Sequence, residues 1–213
     1  FTTPTDALFT ATSAVCVTGL VVVDTADHWS FFGQVVILAL IQVGGFGFMT
    51  SATLFLLAFG RRIGLREKIL ISESMGITRL GGLGKIIVLM AIFAILSEAI
   101  GAVCFYQHFS KGNPVGTSVW LSAFQAISSL NNAGFDLSGS FQSLSNYHKD
   151  PLMLLVTAAL IILGGISFLV VADLIKTRNL SRLSLDSKLV LSSTTLLLAL
   201  GMVVILLTEF NNN

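Results

Sequence analysis

The sequence predicts an all-α membrane protein assembled from parallel helix–pore-loop–helix repeats, and three observations predict it. The first is composition. Of 213 residues, 54% are hydrophobic and only 11% are charged, with a mean hydropathy of +0.88. Soluble domains carry about 25% charged residues, so this composition points to a bilayer. The second is a pair of short apolar runs, Phe9–Leu20 and Phe124–Phe135, each with a glycine near its end. Both fall short of the roughly 20 apolar residues a spanning helix needs. The third is that these runs, and the longer runs after them, resemble each other.

Taken in order, Thr5–Val15 reads as a short helix after Pro4, with Thr5 or Asp6 able to cap its first N–H groups. Gly19 ends that run, and Asp24 to His28 form a polar loop. An apolar segment from about Gly33 to Phe59 is long enough to span, and it contains Gly44-Gly45-Phe46-Gly47. Glycines at membrane depth let neighbouring helices approach closely, and that packing role is favoured here over a direct part in gating. A basic stretch follows, then a second span from about Ile86 to Phe109, interrupted by Glu98. The second short segment, Ser118–Leu130, leads to Asn131-Asn132-Ala133-Gly134 and a long loop to Asp150. Pro151 stands where proline is tolerated, at a helix start. A third span runs from Leu152 to about Leu174 and a fourth from about Leu189 to Phe210.

Charge placement gives the topology. Ten of the twelve Lys and Arg residues lie in residues 60–85 and 176–188, which the positive-inside rule puts in the cytoplasm. Lys111 and Lys149 lie on the other side with Asp6, Asp24, Asp27, Asp136 and Asp150. Four spans alternate correctly only if neither short segment crosses, so both short segments are expected to be re-entrant and to open outward.

Self-comparison supports the same division. Phe9, Ala11, Ser13 and Gly19 match Phe124, Ala126, Ser128 and Gly134 at constant offset. Leu40-Ile41, Gly44-Gly45 and Phe48 match Leu160-Ile161, Gly164-Gly165 and Phe168. The expected division is a first repeat at 1–59 lacking its leading helix, a cytosolic linker at 60–85, and a second repeat at 86–175. A second linker at 176–188 and the leading helix of a third repeat at 189–213 complete it. The first residue is Phe1 and the last residues follow directly on an apolar run, so the chain reads as part of a longer protein.

Glycine permits backbone conformations that turn carbonyls toward an axis, and the C-terminal end of a short helix favours cations. Val17-Thr18-Gly19 and Asn132-Ala133-Gly134, with Cys16 and Asn131 before them, are the stretches placed to supply carbonyl ligands. Neither loop contains a carboxylate, which favours a monovalent cation over calcium. Asn131 and Asn132 either coordinate an ion or, the favoured reading, brace the loop. Glu98, an acid within a span, either serves function or accepts structural hydrogen bonds. Asp24 and Asp136 follow the loops and either raise local cation concentration or cap and bond the loop. The His residues lack ligand spacing, Cys16 and Cys104 read as small apolar residues, and a net charge of +1 argues against nucleic acid. No nucleophile–base pair, HExxH or paired intramembrane aspartate suggests an enzyme.

TATSAVCVTGL, followed by VVVDTADHW and LIQVGGFGFMT, resembles the ion-translocating subunit of the Trk/Ktr/HKT potassium-transporter superfamily, above all its bacterial Ktr branch. QAISSLNNAGFDL resembles that family's second filter sequence, and the likeness covers essentially the whole chain. It implies four potassium-channel-like repeats around one pathway, of which this chain holds about 1.5–2, with Gly19 and Gly134 as two of four filter glycines. It also implies K⁺ as transported ion with Na⁺ as the alternative, no organic cofactor, and a plasma-membrane homodimer on a cytosolic ring of nucleotide-binding subunits. Residues 60–85 and 176–188 are then either docking surfaces or ordinary positive-inside anchors. A non-conducting membrane scaffold that retains the fold is the rival reading.

Overall fold

In the computed structural model, residues 2–47, 50–51 and 83–210 are described, and among them there are helices and no strand. The arginines of the first basic stretch and the 52–59 end of the first expected span lie outside these residues. The helices are α1 (Pro4–Val15), α2 (Thr25–His28), α3 (Phe31–Gly45), α4 (Leu83–Phe109), α5 (Val115–Leu130), α6 (Pro151–Gly165), α7 (Phe168–Thr177) and α8 (Leu185–Glu209). Short 3₁₀ turns occupy Ser143–Tyr147 and Leu180–Arg182. The chain forms two compact units, Phe1–Gly165 and Ile166–Asn213.

Three boundaries differ from the sequence expectation. Helix α1 is capped by Thr3, not by Thr5 or Asp6: the Thr3 hydroxyl accepts from Asp6 N (3.2 Å), and the Asp6 carboxylate accepts in return from Thr3 N (3.2 Å). This is a reciprocal capping box, with proline in the first turn where its missing N–H costs nothing. Helix α5 begins at Val115, three residues before the expected start. The third difference is larger. The first and third expected spans are not continuous helices: α3 stops at Gly45 and α6 at Gly165, and the helix resumes at Phe168 after Ile166-Ser167.

The two stops share a cause. A Cβ on Gly44 would lie 2.0 Å from the Val15 carbonyl oxygen, and one on Gly164 would lie 1.7 Å from that of Leu130. Each glycine therefore admits the last carbonyl of a short helix, α1 or α5, against the backbone of the longer one. Glycine is needed there because a backbone group occupies the place of the side chain. What approaches is thus a helix end, not the side of a neighbouring helix.

Within the first unit, α4 packs against α5 and α6, α5 against α6, α1 against α3, and α3 against α5. One apolar cluster joins α4, α5 and α6 through Ala94, Phe105, Phe109, Ala126, Leu130, Met153 and Leu160. A second joins α1 and α3 to α5 and the loop after it: Ala14, Ile37 and Ile41 enclose Phe124, Ala133 and Phe135. Trp120 of α5 donates through Nε1 to Gln34 Oε1 of α3 (2.9 Å), and its ring lies 4.7 Å from that of Phe31.

In the second unit, Asp173 ties α7 to α8. Its carboxylate accepts from Thr177 Oγ1 (3.1 Å), Ser184 N (3.0 Å) and Ser187 Oγ (2.7 Å). Ser184 caps α8, and the turn between the helices is further closed by Lys188 Nζ donating to Ser181 O (2.7 Å). Leu196, Leu197 and Leu200 on α8 are all more than half exposed, as suits a helix apolar on every side and meant for lipid or more protein. By length and composition, residues 84–109 and α8 each suffice to cross a bilayer.

Candidate functional site

The two helix–loop segments repeat each other bond for bond. Cys16 N donates to Thr12 O (2.9 Å), Val17 N to Ala14 O (3.3 Å) and Thr18 N to Ser13 O (3.0 Å). Asn131 N donates to Ile127 O (3.1 Å), Asn132 N to Ser129 O (3.2 Å) and Ala133 N to Ser128 O (2.8 Å), each pair 115 residues further on. The buried serine hydroxyls follow the same rule. Ser13 Oγ donates to Leu20 O (2.7 Å), and Ser128 Oγ donates to Phe135 O. Each serine therefore reaches across its loop and holds the chain just beyond the glycine. With its single proton on Leu20 O, Ser13 receives one from Thr18 Oγ1 (2.9 Å), a bond for which Ala133 has no counterpart.

Backbone conformation repeats as well. Val17 and Gly19 have φ of 54° and 71°, Asn132 and Gly134 have φ of 56° and 75°, and neither Thr18 nor Ala133 between them is left-handed. Valine is β-branched and rarely adopts such a φ. Its persistence there shows that the hydrogen bonds around it dictate the loop. The loops meet at their glycines. A Cβ on Gly19 would lie 2.7 Å from Ala133 O and 3.2 Å from Gly134 Cα, and one on Gly134 would lie 3.3 Å from Gly19 Cα.

Of Cys16, Val17, Thr18 and Gly19 and their counterparts Asn131, Asn132, Ala133 and Gly134, Gly19 is brought against Ala133 and Gly134, and the two stretches have unequal surroundings. Ala133 and Phe135 are buried against α1 and α3, whereas their counterparts Thr18 and Leu20 are exposed. Asn132 meets the broken end of α6: with its amide turned to satisfy both ends, it donates to Ile161 O (3.1 Å) and accepts from Gly165 N (3.2 Å). Asn131 turns to the other side. Its Nδ2 donates to Ile127 O (2.8 Å), Gln42 Oε1 (3.1 Å) and Glu98 Oε1 (3.3 Å), while its Oδ1 lies where a Cβ on Gly45 would be. Glu98 is 9% exposed and also accepts from Gln42 Nε2 (2.9 Å).

The acidic residues beyond the loops are engaged in the fold. Asp24 caps α2 and accepts from Phe141 N (2.7 Å), and Asp27 accepts from Ser140 N (3.1 Å). These N–H groups belong to a left-handed run, Gly139, Ser140 and Phe141, that brings the loop after α5 onto α2. Asp136 accepts from Ser138 N (2.8 Å) in a local turn. Asp150 caps α6 by accepting from Leu152 N (3.0 Å) and Met153 N (3.2 Å), and pairs with the His108 ring. These bonds, led by that from Met153, hold its carboxyl below the usual carboxylate range. Among the described residues no group of three His, Cys, Asp or Glu could hold a metal ion, and Cys16 and Cys104 are free thiols.

Sequence reasoning missed Gln34 and Gln42. Their signal was present: two amides eight residues apart on one face of an otherwise apolar helix. It also did not foresee that Asp24 and Asp27 would bind a loop more than a hundred residues away.

A family model described as TrkH, cation transport protein, matches residues 1–212. The Ktr system potassium uptake protein B of Bacillus subtilis is 41% identical over 207 residues, 97% of this chain and 46% of that protein. The potassium/sodium uptake protein NtpJ of Enterococcus hirae is 40% identical over 206 residues, 97% and 45% of the two chains. The Ktr system potassium uptake protein B of Vibrio alginolyticus is 38% identical over 210 residues, 98% and 46%. The chain spans about half the length of these relatives. It belongs to the TrkH family of cation transport proteins.

Proposed function

We propose that the protein takes up potassium across the plasma membrane, and that this chain supplies two of the four walls of its ion filter. The observation that carries the reading is the matched pair of loops, each with a left-handed residue at Val17 or Asn132 and again at Gly19 or Gly134, meeting at the glycines. Left-handed residues alternating with ordinary ones turn successive carbonyls toward one side, which is how a backbone replaces an ion's hydration shell. Irregular backbone at membrane depth is tolerated where it is buried or lines a wet path. The loops stand as re-entrant segments opening outward, with the stretches 60–85 and 176–188 in the cytoplasm. K⁺ is the cargo, and the name of the Enterococcus relative supports Na⁺ as a second one. The name Ktr system supports assembly with further subunits; on this reading they are a second copy of the protein in lipid and a cytosolic nucleotide-binding ring. No covalent chemistry is required, so the protein is not an enzyme on this reading.

The test is potassium uptake by the full-length protein in a transport-deficient cell, with Gly19→Ser and Gly134→Ser compared. At Gly19 a side chain is strained by φ of 71° and meets Ala133 O; at Gly134 it is strained by φ of 75°. Both variants should lose uptake, or shift K⁺/Na⁺ preference by about tenfold, roughly 1.4 kcal/mol. Wild-type uptake and selectivity in both would overturn the assignment. A full-length protein that reaches the membrane with its partner but never conducts would instead be a scaffold.

A further inference from the structure

Glu98, Gln42 and Asn131 form one partly buried polar cluster where three helices meet, with Glu98 its buried member. Gln42 comes from α3 of the first repeat, Glu98 from α4 and Asn131 from the end of α5 of the second. The order of donors is fixed by chemistry. A carboxylate oxygen only accepts, so Glu98 Oε1 requires N–H from Gln42 Nε2 (2.9 Å) and Asn131 Nδ2 (3.3 Å). Asn131 Nδ2 can only donate, so Gln42 meets it with Oε1, accepting at 3.1 Å. With two hydrogens for three oxygens, Asn131 Nδ2 shares one hydrogen between neighbouring acceptors.

Asn131 directly precedes the left-handed residue Asn132 of the second loop, and its amide lies against the backbone of α3. Its carbonyl oxygen would lie 1.8 Å from a Cβ on Gly45, so the amide fits only because α3 has no side chain there. Its donor end faces the carboxylate and two further oxygens. An amide held this way presents no oxygen to an ion. The first loop has no counterpart, since Cys16 at the matching position is an exposed thiol.

We propose that Glu98 is a positioning residue for the filter: through Gln42 and Asn131 it locks the second loop in register with the first, and so sets ion preference at the Gly134 wall. The inference rests on the reading of Gly134 as a filter residue. Its acting feature is the acceptor oxygen, which fastens α5 to α3 across the junction between repeats. Removing this acceptor takes from Gln42 Nε2 its bond to Glu98, and from Asn131 Nδ2 one of the three oxygens it faces.

The experiment uses the full-length protein in liposomes, reading K⁺ and Na⁺ uptake separately along with the amount and thermal midpoint of the protein. Glu98→Ala should reduce K⁺/Na⁺ preference about tenfold, and Glu98→Gln, which keeps an acceptor oxygen in place, should restore most of it. Gln42→Leu, which removes the bridge while leaving Glu98, should behave like Glu98→Ala, and it carries the test if Glu98→Ala does not accumulate. Glu98→Gln as damaging as Glu98→Ala would show that the charge, not the acceptor, matters and would overturn the proposal. So would variants that lower the midpoint with K⁺/Na⁺ preference unchanged, the result of a purely structural role. Gly134→Ser run in parallel separates the two readings. If it too is silent, the filter assignment fails; if it alone changes preference, only the role of Glu98 fails.

Discussion

The carbonyl oxygen of Val15 occupies the space that a methyl group on Gly44 would need, 2.0 Å from where its Cβ would stand. The same relation joins Leu130 and Gly164, at 1.7 Å. Backbone cannot yield there as a flexible side chain could. We expect Gly44→Ala and Gly164→Ala each to destabilise the full-length protein in detergent by about 1–3 kcal/mol or more, through overpacking. Gly116→Ala and Gly201→Ala are the matched controls, since a Cβ at either meets nothing within 4 Å. Both lie within helices, where alanine is favoured over glycine by about 1 kcal/mol, so they should hold or raise the thermal midpoint.

The loop-spanning serines make a second test. Ser13→Ala and Ser128→Ala leave the carbonyls of Leu20 and Phe135 without their hydroxyl donors. Loss of about 1–2 kcal/mol is expected for each, with altered uptake kinetics because the chain beyond each glycine is freed. Ser→Thr retains the hydroxyl and should recover part of the loss at either position. Equal behaviour of Ser→Ala and Ser→Thr would show that the bond is not the cause.

Gln34 and Trp120 link α3 to α5 at 2.9 Å, so their substitutions should not be additive. In a double-mutant cycle of Gln34→Ala and Trp120→Phe, we expect a coupling of about 0.5–1.5 kcal/mol in unfolding free energy. A coupling near zero would mean that Gln34 acts only through its bonds to the Ala26 and Trp29 carbonyls.

Asp150 gives a pH dependence of known sign. Its folded pKa lies below its unfolded value, first because of the bond from Met153 N and then through His108. A depressed carboxylate contributes stability that is present above the unfolded pKa and lost as pH falls through the folded one. The acid limb of the stability profile, below about pH 4, should therefore be shallower in Asp150→Asn than in wild type. Asparagine still caps a helix, so Asp150→Asn should be milder at neutral pH than Asp150→Ala. Thermal unfolding between neutral and acid pH measures both.

Much of the helix plan was legible because it rests on local signals: Pro4 and Pro151 at helix starts, apolar length for the spans, and the offset match of the glycines. The break of α3 and α6 was not. Gly44-Gly45 and Gly164-Gly165 read equally well as a contact between helix flanks, and only the position of α1 and α5 shows that helix ends are admitted. Similarly, Asn131 and Asn132 are neighbours with the same side chain, and sequence cannot say that one turns toward Glu98 while the other turns to the end of α6. The partner of Gln42 was hidden for a related reason. A lone amide in an apolar run shows that a partner exists, but a partner 56 residues away is known only from the fold.

The two loops differ where they carry side chains: Cys16 against Asn131, Val17 against Asn132, Thr18 against Ala133. The copies do not differ at Gly19 and Gly134 or at Gly44 and Gly164. Every substitution of glycine adds at least one carbon, so these four positions have no conservative neighbour among the other amino acids. The side chains of the two loops therefore differ in chemistry while the backbone contacts at Gly44 and Gly164, and the left-handed φ at Gly19 and Gly134, are the same in both. What the two copies share most closely is the backbone that stands where a side chain would be.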